Sequence, residues 1–399
     1  MNTPILVDVT RLCARHLEGL HPTGIDRVTL AYLRHYRPRV RAVVRHGGRW
    51  LRLSAKGSSD ILSAILETGD NGRKRIRSAV ARAHLMRASR CEDCWFFNLS
   101  HSGLEDTRYG DILKRLGLRP LFFIHDLIPV VYPEYGRPGE EVRHAHRLET
   151  IRKSAGARIF NSEATRQSLH HYWAQHGIRA PGPELVAPLG CGSLPKASGQ
   201  RPLADPYFVV LGTIEARKNH LLLLQIWRHW LETARNAEIV PKLVLLGRRG
   251  WECEQVLDLL ERSHWLRGQV VELGPCADEE IATWLKHAQA LLFPSFAEGF
   301  GLPLVEALSL GTPVIASDLP AFREAAGDVP DYLSPLDGLG WRQLIQDYLK
   351  DGPRRQAQRA RMAGFRPWTW SDHFALVDAF LESQAQPGAS PSKSAVQHG

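Results

Sequence analysis

Two carboxylates, Glu298 and Glu306, stand eight residues apart in the stretch FPSFAEGFGLPLVEALSLGTPVIAS, residues 293–317. Gly299, Gly301 and Pro303 lie between them. Glycines let backbone N–H groups approach a ligand, proline suits the first turn of a helix, and a helix N-terminus carries about half a positive charge. Together these features predict an anion site. Carboxylates accept hydrogen bonds from sugar hydroxyls. A phosphate bound between two acids therefore implies a sugar on each side of it, which is the chemistry of a nucleotide sugar.

Other chemistry-bearing residues fall where strand-like runs end. YFVVLGT (207–213) leads into IEARKN, so Arg217 and Lys218 follow a strand and precede HLLLLQIW, with Asn219 placed to cap that helix. Two cations there suit a diphosphate, although a pair of solvated surface cations has the same sequence. His125 and Asp126 end PLFFIHD, where a histidine would face a cleft or simply be structural. Gly24 follows the first strand at the start of a helix, a phosphate-facing position. No G-x-G-x-x-G occurs. GCGSLP (190–195) lacks the third glycine, which weakens a dehydrogenase reading.

The elements that must carry these loops alternate. Strand candidates are ILVDVT (5–10), VRAVVRH (40–46), CWFFNLS (94–100), RPLFFIHD (119–126), ARIFNS (157–162) and ELVAPLG (184–190), with helical patterns such as 24–36 and 140–155 between them. The stretch 191–206 is rich in Pro, Gly and Ser and reads as a linker. The pattern then restarts at 207–213, 242–247, 269–274, 290–295 and 313–317. Short apolar runs alternating with helices predict parallel sheets covered on both faces. The fold expected is α/β: two doubly wound domains facing a cleft. Their expected bounds are 1–195 and 203–366, with a helix in 367–385 packing back on the first domain and a disordered tail at 386–399.

Composition excludes several classes. Hydrophobic residues at 44% and charged residues at 23% fit a globular chain, and no apolar run reaches the roughly 20 residues that span a bilayer. MNTPILVDVT enters a strand at once without a basic leader, so no signal peptide is expected. Six scattered cysteines fit a reducing compartment, and the lone CEDC (91–94) has no second pair for a metal site and reads as structural. The net charge of +9 lies wholly in residues 1–100, which hold 18 Lys and Arg against 8 Asp and Glu. Residues 71–90 carry seven basic residues and no acid, spread around a helix rather than along one face. That run is either a solvated face or a contact for an anionic membrane surface. No nucleic-acid recognition motif accompanies it, so no nucleic-acid partner is expected.

The order of motifs resembles one family. EGFGLPLVE (298–306) followed by GTPVIAS is similar to the E-x7-E signature of retaining family 4 glycosyltransferases, which have the GT-B fold of two Rossmann-like domains around a cleft. GTIEARKNH (212–220), LGRRGW (246–251), PTGIDRV (22–28), NLSHSG (98–103) and HDLIPVVYPEY (125–135) resemble bacterial polysaccharide members of that family, over residues 5 to about 380. The resemblance implies roles. Glu306 would hold the donor ribose and Glu298 would sit at the transferred sugar. Backbone groups at Gly212, Phe300, Gly301 and Leu302 would bind sugar or phosphate. Arg217 and Lys218 would clamp the leaving diphosphate, His125 would contact the donor sugar, and Gly24 would approach the phosphate. His101 and Asp126 are candidates on the acceptor side. One departure is Thr213, which stands where many members carry arginine.

The expected activity is metal-independent transfer of a hexose with retention, needing no cofactor. The resemblance to O-antigen and capsule mannosyl- and rhamnosyltransferases favours GDP-mannose as donor. The acceptor implied is a glycan or a polyprenyl-diphosphate-linked chain, reached from the cytoplasm at the inner face of the membrane. A non-catalytic nucleotide-sugar or glycan binder on the same fold is the alternative. An epimerase or phosphorylase of this fold is a third class.

Overall fold

A computed structural model describes the chain except residues 1–2, 68–70, 86–92, 180, 193, 196, 236–237 and 386–399. The expected tail and the end of the basic run lie outside the described residues, as does Cys91. Cys94 is disulfide-bonded, against the expectation of reduced thiols, whereas Cys13, Cys191, Cys253 and Cys276 are free.

The first sheet has seven strands: β1 Ile5–Asp8, β2 Val40–His46, β3 Arg49–Arg52, β4 Trp95–Asn98, β5 Arg119–Ile124, β6 Ala157–Phe160 and β7 Glu184–Val186. Their spatial order is β3-β2-β1-β4-β5-β6-β7, parallel except for β3. The second has six: β8 Tyr207–Leu211, β9 Lys242–Leu246, β10 Val270–Leu273, β11 Leu291–Phe293, β12 Val314–Ser317 and β13 Asp331–Leu333, in the order β10-β9-β8-β11-β12-β13. Every pairing recorded in that sheet is parallel. Runs such as ILVD in β1, ARIF in β6 and VIAS in β12 are buried at every residue, as a sheet covered on both faces requires.

Both sheets reverse their strand order at one point, between β1 and β4 in the first and between β8 and β11 in the second. Ligands of open α/β sheets bind outside the strand carboxyl ends at such a switch point. The segments that start there are 9–23, 99–108, 212–219 and 294–301. They include most of the residues singled out for their chemistry.

Three elements depart from the sequence reading. The hairpin β2–β3 was not anticipated; its turn, Gly47–Gly48, has both φ values positive, as a two-residue hairpin turn of this hand needs. The short edge strand β13 was not anticipated either. A helix, Thr10–Glu18, stands between β1 and Gly24, so Gly24 opens the second helix, Gly24–His35, not the first. A side chain at Gly24 would meet nothing within 4 Å, so packing does not demand glycine there.

The basic run forms a helix, Gly72–Leu85, that buries Gly72, Ile76 and Ala79 against the helix Ala55–Leu66 and leaves Arg73, Lys74, Arg75 and Arg77 exposed. The helix Trp370–Ser383 lies on Gly24–His35: the Tyr32 hydroxyl is 2.9 Å from His373 Nε2, Tyr36 donates to Asp378 (2.6 Å), and Phe374 stacks on His35. Among the described residues no helix is long and apolar enough to cross a membrane.

Candidate active site

The acids and cations named from the sequence meet at the second sheet's switch point. The loop after β8 turns through a short 3-10 segment, Ala216–Lys218, and Asn219 then adopts φ +56. Asn219 is not a side-chain cap. Its left-handed backbone sends the amide across the loop, where Nδ2 donates to Pro294 O (3.2 Å) and Pro335 O (2.9 Å). This ties the loop carrying Arg217 and Lys218 to the one carrying Glu298. Phe296 N donates to Arg217 O (2.8 Å) and closes the same junction.

Glu298 is the centre of the cluster. One carboxylate oxygen pairs with Lys218 Nζ and accepts from Ser295 Oγ (2.9 Å); the other is 2.8 Å from Arg217 Nη1. Arg217 also reaches Glu215 (2.7 Å) and Ala297 O (3.0 Å). Lys218 is 8% exposed and lies 4.8 Å over the Phe293 ring. Gly212, at φ +143, leaves room beside the lysine stem.

Burial opposes ionisation of Glu298, yet Arg217 and Lys218 outweigh it and hold the carboxyl down at about 2. Burial likewise weakens the Arg217 guanidinium, but Glu298, Glu215 and Asp126 more than restore it. For Lys218 burial wins and its pKa falls despite Glu298. Burial raises Glu215. Glu298 is therefore a fixed anion, able to accept hydrogen bonds from hydroxyls but too weak a base to take their protons.

The loop then opens into the helix Leu302–Ser309. Gly301 has φ +101, and a side chain there would press into the Phe322 ring at 2.7 Å. Among the described residues the amides of 299–302 have no acceptor within the chain. Four free N–H groups at a helix N-terminus beside two cations make an anion cradle. Phe300 is buried and offers only its backbone.

Glu306 lies one turn on and is 2% exposed. Across the cleft Arg27 Nη1 approaches its Oε1 to 2.7 Å and forms an ion pair with it. Burial raises the Glu306 pKa and Arg27 partly offsets this.

The first domain closes on the loop from the other side. A side chain at Gly299 would lie 2.1 Å from His125 O, so only glycine admits this approach. Ser162 Oγ (2.9 Å) and Thr165 Oγ1 (3.2 Å) donate to Gly299 O. Glu324 accepts from Glu163 N (2.6 Å) and Ala164 N (2.7 Å), neutralising the N-terminus of the helix Glu163–Gln175 across the junction. Trp251 Nε1 donates to Tyr135 O (3.1 Å), and Tyr135 stacks on Phe296.

His125 is buried and its Nε2 lies 2.8 Å from Leu99 O. Its ring is 5.5 Å from that of His101, which is itself 5.6 Å from His144. Burial keeps all three neutral, with His144 pushed down to about 4. Asp126 accepts from Ile128 N (3.1 Å) and its charge bears on Glu215 and Arg217. That places Asp126 near the cation cluster.

The structure thus brings Glu298, Arg217, Lys218, Gly212, Gly301, Leu302, Glu306, His125 and Asp126 to one cleft. Arg27, Glu215, Ser295 and Trp251 were not singled out from the sequence. Arg27 stands in PTGIDRV and Trp251 in LGRRGW, so the motifs held them, but nothing local marks their partners. Among the described residues no three metal-ligating side chains converge.

Comparison with known proteins gives the chain's likenesses. Residues 195–333 match the family model described as Glycosyl transferases group 1. The serotype-specific mannosyltransferase WbdA of Escherichia coli is 25% identical over 289 residues, covering 67% of this chain and 34% of that protein. The matched part thus spans about a third of that relative. The O-antigen chain mannosyltransferase B of Escherichia coli is 29% identical over 264 residues, 64% of this chain and 68% of that one. Among solved structures, Anabaena HepE in complex with UDP and glucose superposes with TM-score 0.66 at 17% identity, over 96% of this chain and 100% of that one. Sucrose-phosphate synthase from Thermosynechococcus elongatus does so with TM-score 0.62 at 16% identity, over 96% and 99%. The fold is GT-B.

Proposed function

We propose that this chain, whose residues 195–333 carry a group 1 glycosyltransferase domain on a GT-B fold, transfers a hexose from a nucleoside diphosphate sugar to a glycan. One observation carries the reading: Arg217 and Lys218 flank an acid beside four free amides at a helix N-terminus, at the switch point of a cleft. That site holds two buried cations and free hydrogen-bond donors and is largely shielded from water. It suits a diphosphate that gains charge as it departs.

In the proposed reaction the bond between sugar C1 and the diphosphate oxygen breaks, and the electron pair leaves with the diphosphate. Arg217, Lys218 and the amides of 299–302 stabilise that charge. The acceptor hydroxyl bonds to C1 on the same face, and its proton passes to the departing diphosphate. Glu298 does not take it, being held near 2 by its two cations. Glu298 instead accepts hydrogen bonds from the sugar, and Glu306 from the ribose once Arg27 yields.

The donor proposed is GDP-mannose, supported by the relatives named as mannosyltransferases. The two cations take the role that a divalent metal would otherwise fill. The acceptor proposed is a lipid-linked or growing polysaccharide. Calorimetric titration with GDP, UDP and dTDP tests the donor. Preference for GDP is expected; preference for UDP would overturn the mannose assignment.

A further inference from the structure

A second cavity lies outside the cleft just described. It lies beside it, at the β2–β3 hairpin, with a volume of about 720 Å³, within the usual range of ligand pockets. Arg45, Arg49, Trp50, Arg108 and Arg115 line it. We propose that this cavity is an acceptor subsite for the oxyanion group of an anionic glycan, a phosphate or a carboxylate. The proposal rests on the transferase reading and adds to it the chemical class of the acceptor.

Charge carries the argument. Arg45 is neutralised by Asp8 (2.9 Å), and Arg108 is chelated by both oxygens of Asp106 (3.0 and 2.9 Å). Arg49 and Arg115 have no acidic partner among the described residues, and both are exposed into the opening. They come from different elements, the hairpin and the end of the helix Tyr109–Arg115, and converge on one space. A guanidinium fork matches an oxyanion geometrically as well as electrically. Among the described residues Asp111 is the one lining acid without an ion-pair partner, so the cavity keeps a positive surplus. The Gly47–Gly48 turn has open space where side chains would stand, leaving the rim clear. Trp50, packed on Tyr109 and Phe96, gives a wall on which a sugar ring or an alkyl chain can rest.

Position ties the cavity to the reacting centre. Arg45, its floor, donates to Ser102 Oγ (2.7 Å). Gly103 must be glycine for this, since a side chain there would fall 1.5 Å from Arg45 Nη1. Ser102 follows His101, whose ring is 5.5 Å from that of His125 at the cleft. The loop 99–103 thus joins the two, touching Arg45 of the cavity through Ser102 and His125 of the cleft through Leu99. An acceptor whose hydroxyl points at the donor can place an anion on Arg49 and Arg115.

Two probes separate the sources of the oxyanion: a decyl-diphosphate-linked mannose and a decyl glucuronide, titrated by calorimetry at low salt. Stronger binding of the first assigns the site to phosphate, and of the second to carboxylate; either supports it. Replacing both exposed arginines, Arg49→Gln with Arg115→Gln, should weaken the better probe about tenfold or more, with the loss shrinking as salt rises. Circular dichroism checks that the variant is folded. If the double variant binds as wild type does while Lys218→Ala does not, the anion belongs to the donor clamp and the subsite is overturned. Titration of GDP into wild type reads the donor site separately. Its failure would strike the proposed function and not the cavity.

Discussion

Replacing Lys218 by methionine tests the clamp with little disturbance of packing. Methionine keeps the stem beside Gly212 and over Phe293, and removes only the charge. A carboxyl held at about 2, against 4.5 without its surroundings, corresponds to a net of about 3 kcal/mol, which is what remains of the attraction of both cations after burial has opposed it. Glu298 keeps Arg217 at 2.8 Å and Ser295 at 2.9 Å in the variant, so it is not left unpaired. Burial already disfavours the ammonium, and that penalty disappears with it. The net cost to folding should therefore be about 1–2 kcal/mol, below the 3–5 typical of a buried pair broken to leave one charge alone. The sign with pH follows. The depressed pKa gives stability that is complete above 4.5 and is lost as pH falls towards 2; the variant should lose it at higher pH, because Glu298 has one cation fewer. Catalysis should suffer far more. Loss of one contact that strengthens as the diphosphate departs costs about 3 kcal/mol, or two to three orders of magnitude in kcat, with little change in KM. Stopped assays of nucleotide release, beside thermal melts at pH 7, measure both. A folded variant turning over within about fivefold of wild type would refute the clamp.

Other consequences follow from the same geometry. Arg27→Ala removes the cation that partly offsets burial of Glu306, whose pKa is already raised. The carboxylate is lost as pH falls through that raised pKa, so donor affinity should fall with decreasing pH, beginning at higher pH in the variant; titrations from pH 8 to 5 show it, and coincident profiles would refute it. Donor turnover should survive excess EDTA, and full loss restored by Mg²⁺ or Mn²⁺ would contradict a purely cationic clamp. Arg73, Lys74, Arg75 and Arg77 are exposed, so binding to anionic vesicles should appear at low salt and vanish at high salt. Co-sedimentation without any low-salt binding would mark that helix as a solvated face.

The sheets were legible in the sequence because parallel strands buried on both faces read as plain apolar runs. FFI and LVLL could hardly be anything else. The elements missed were those lacking that signal. Strand β3 is RWLR, half exposed at an edge, and β13 is three residues long. The helix Thr10–Glu18 is only nine residues long and begins two residues after β1 ends, where the strand reading ILVDVT ran on to Thr10. At the site, Glu298, Lys218 and Glu306 were visible because glycines, strand ends and a helix start bracket them. Arg27 was not, since its partner is 279 positions away along the chain and only the meeting of the two domains brings them together. The cavity at the hairpin was invisible for the same reason, as Arg49 and Arg115 converge only in three dimensions. The first-hundred charge surplus was the one trace of it.

The central claim is that the cleft around Glu298, Arg217 and Lys218 breaks the bond between a sugar and a nucleoside diphosphate. The most direct test is proton and phosphorus NMR of the protein incubated with GDP-α-mannose and a panel of other nucleotide sugars. Consumption of GDP-mannose, release of GDP and a first-formed sugar product in the α configuration are expected. Intact donors across the whole panel, in a protein shown by its melt to be folded, would contradict it, and a β product would contradict transfer with retention.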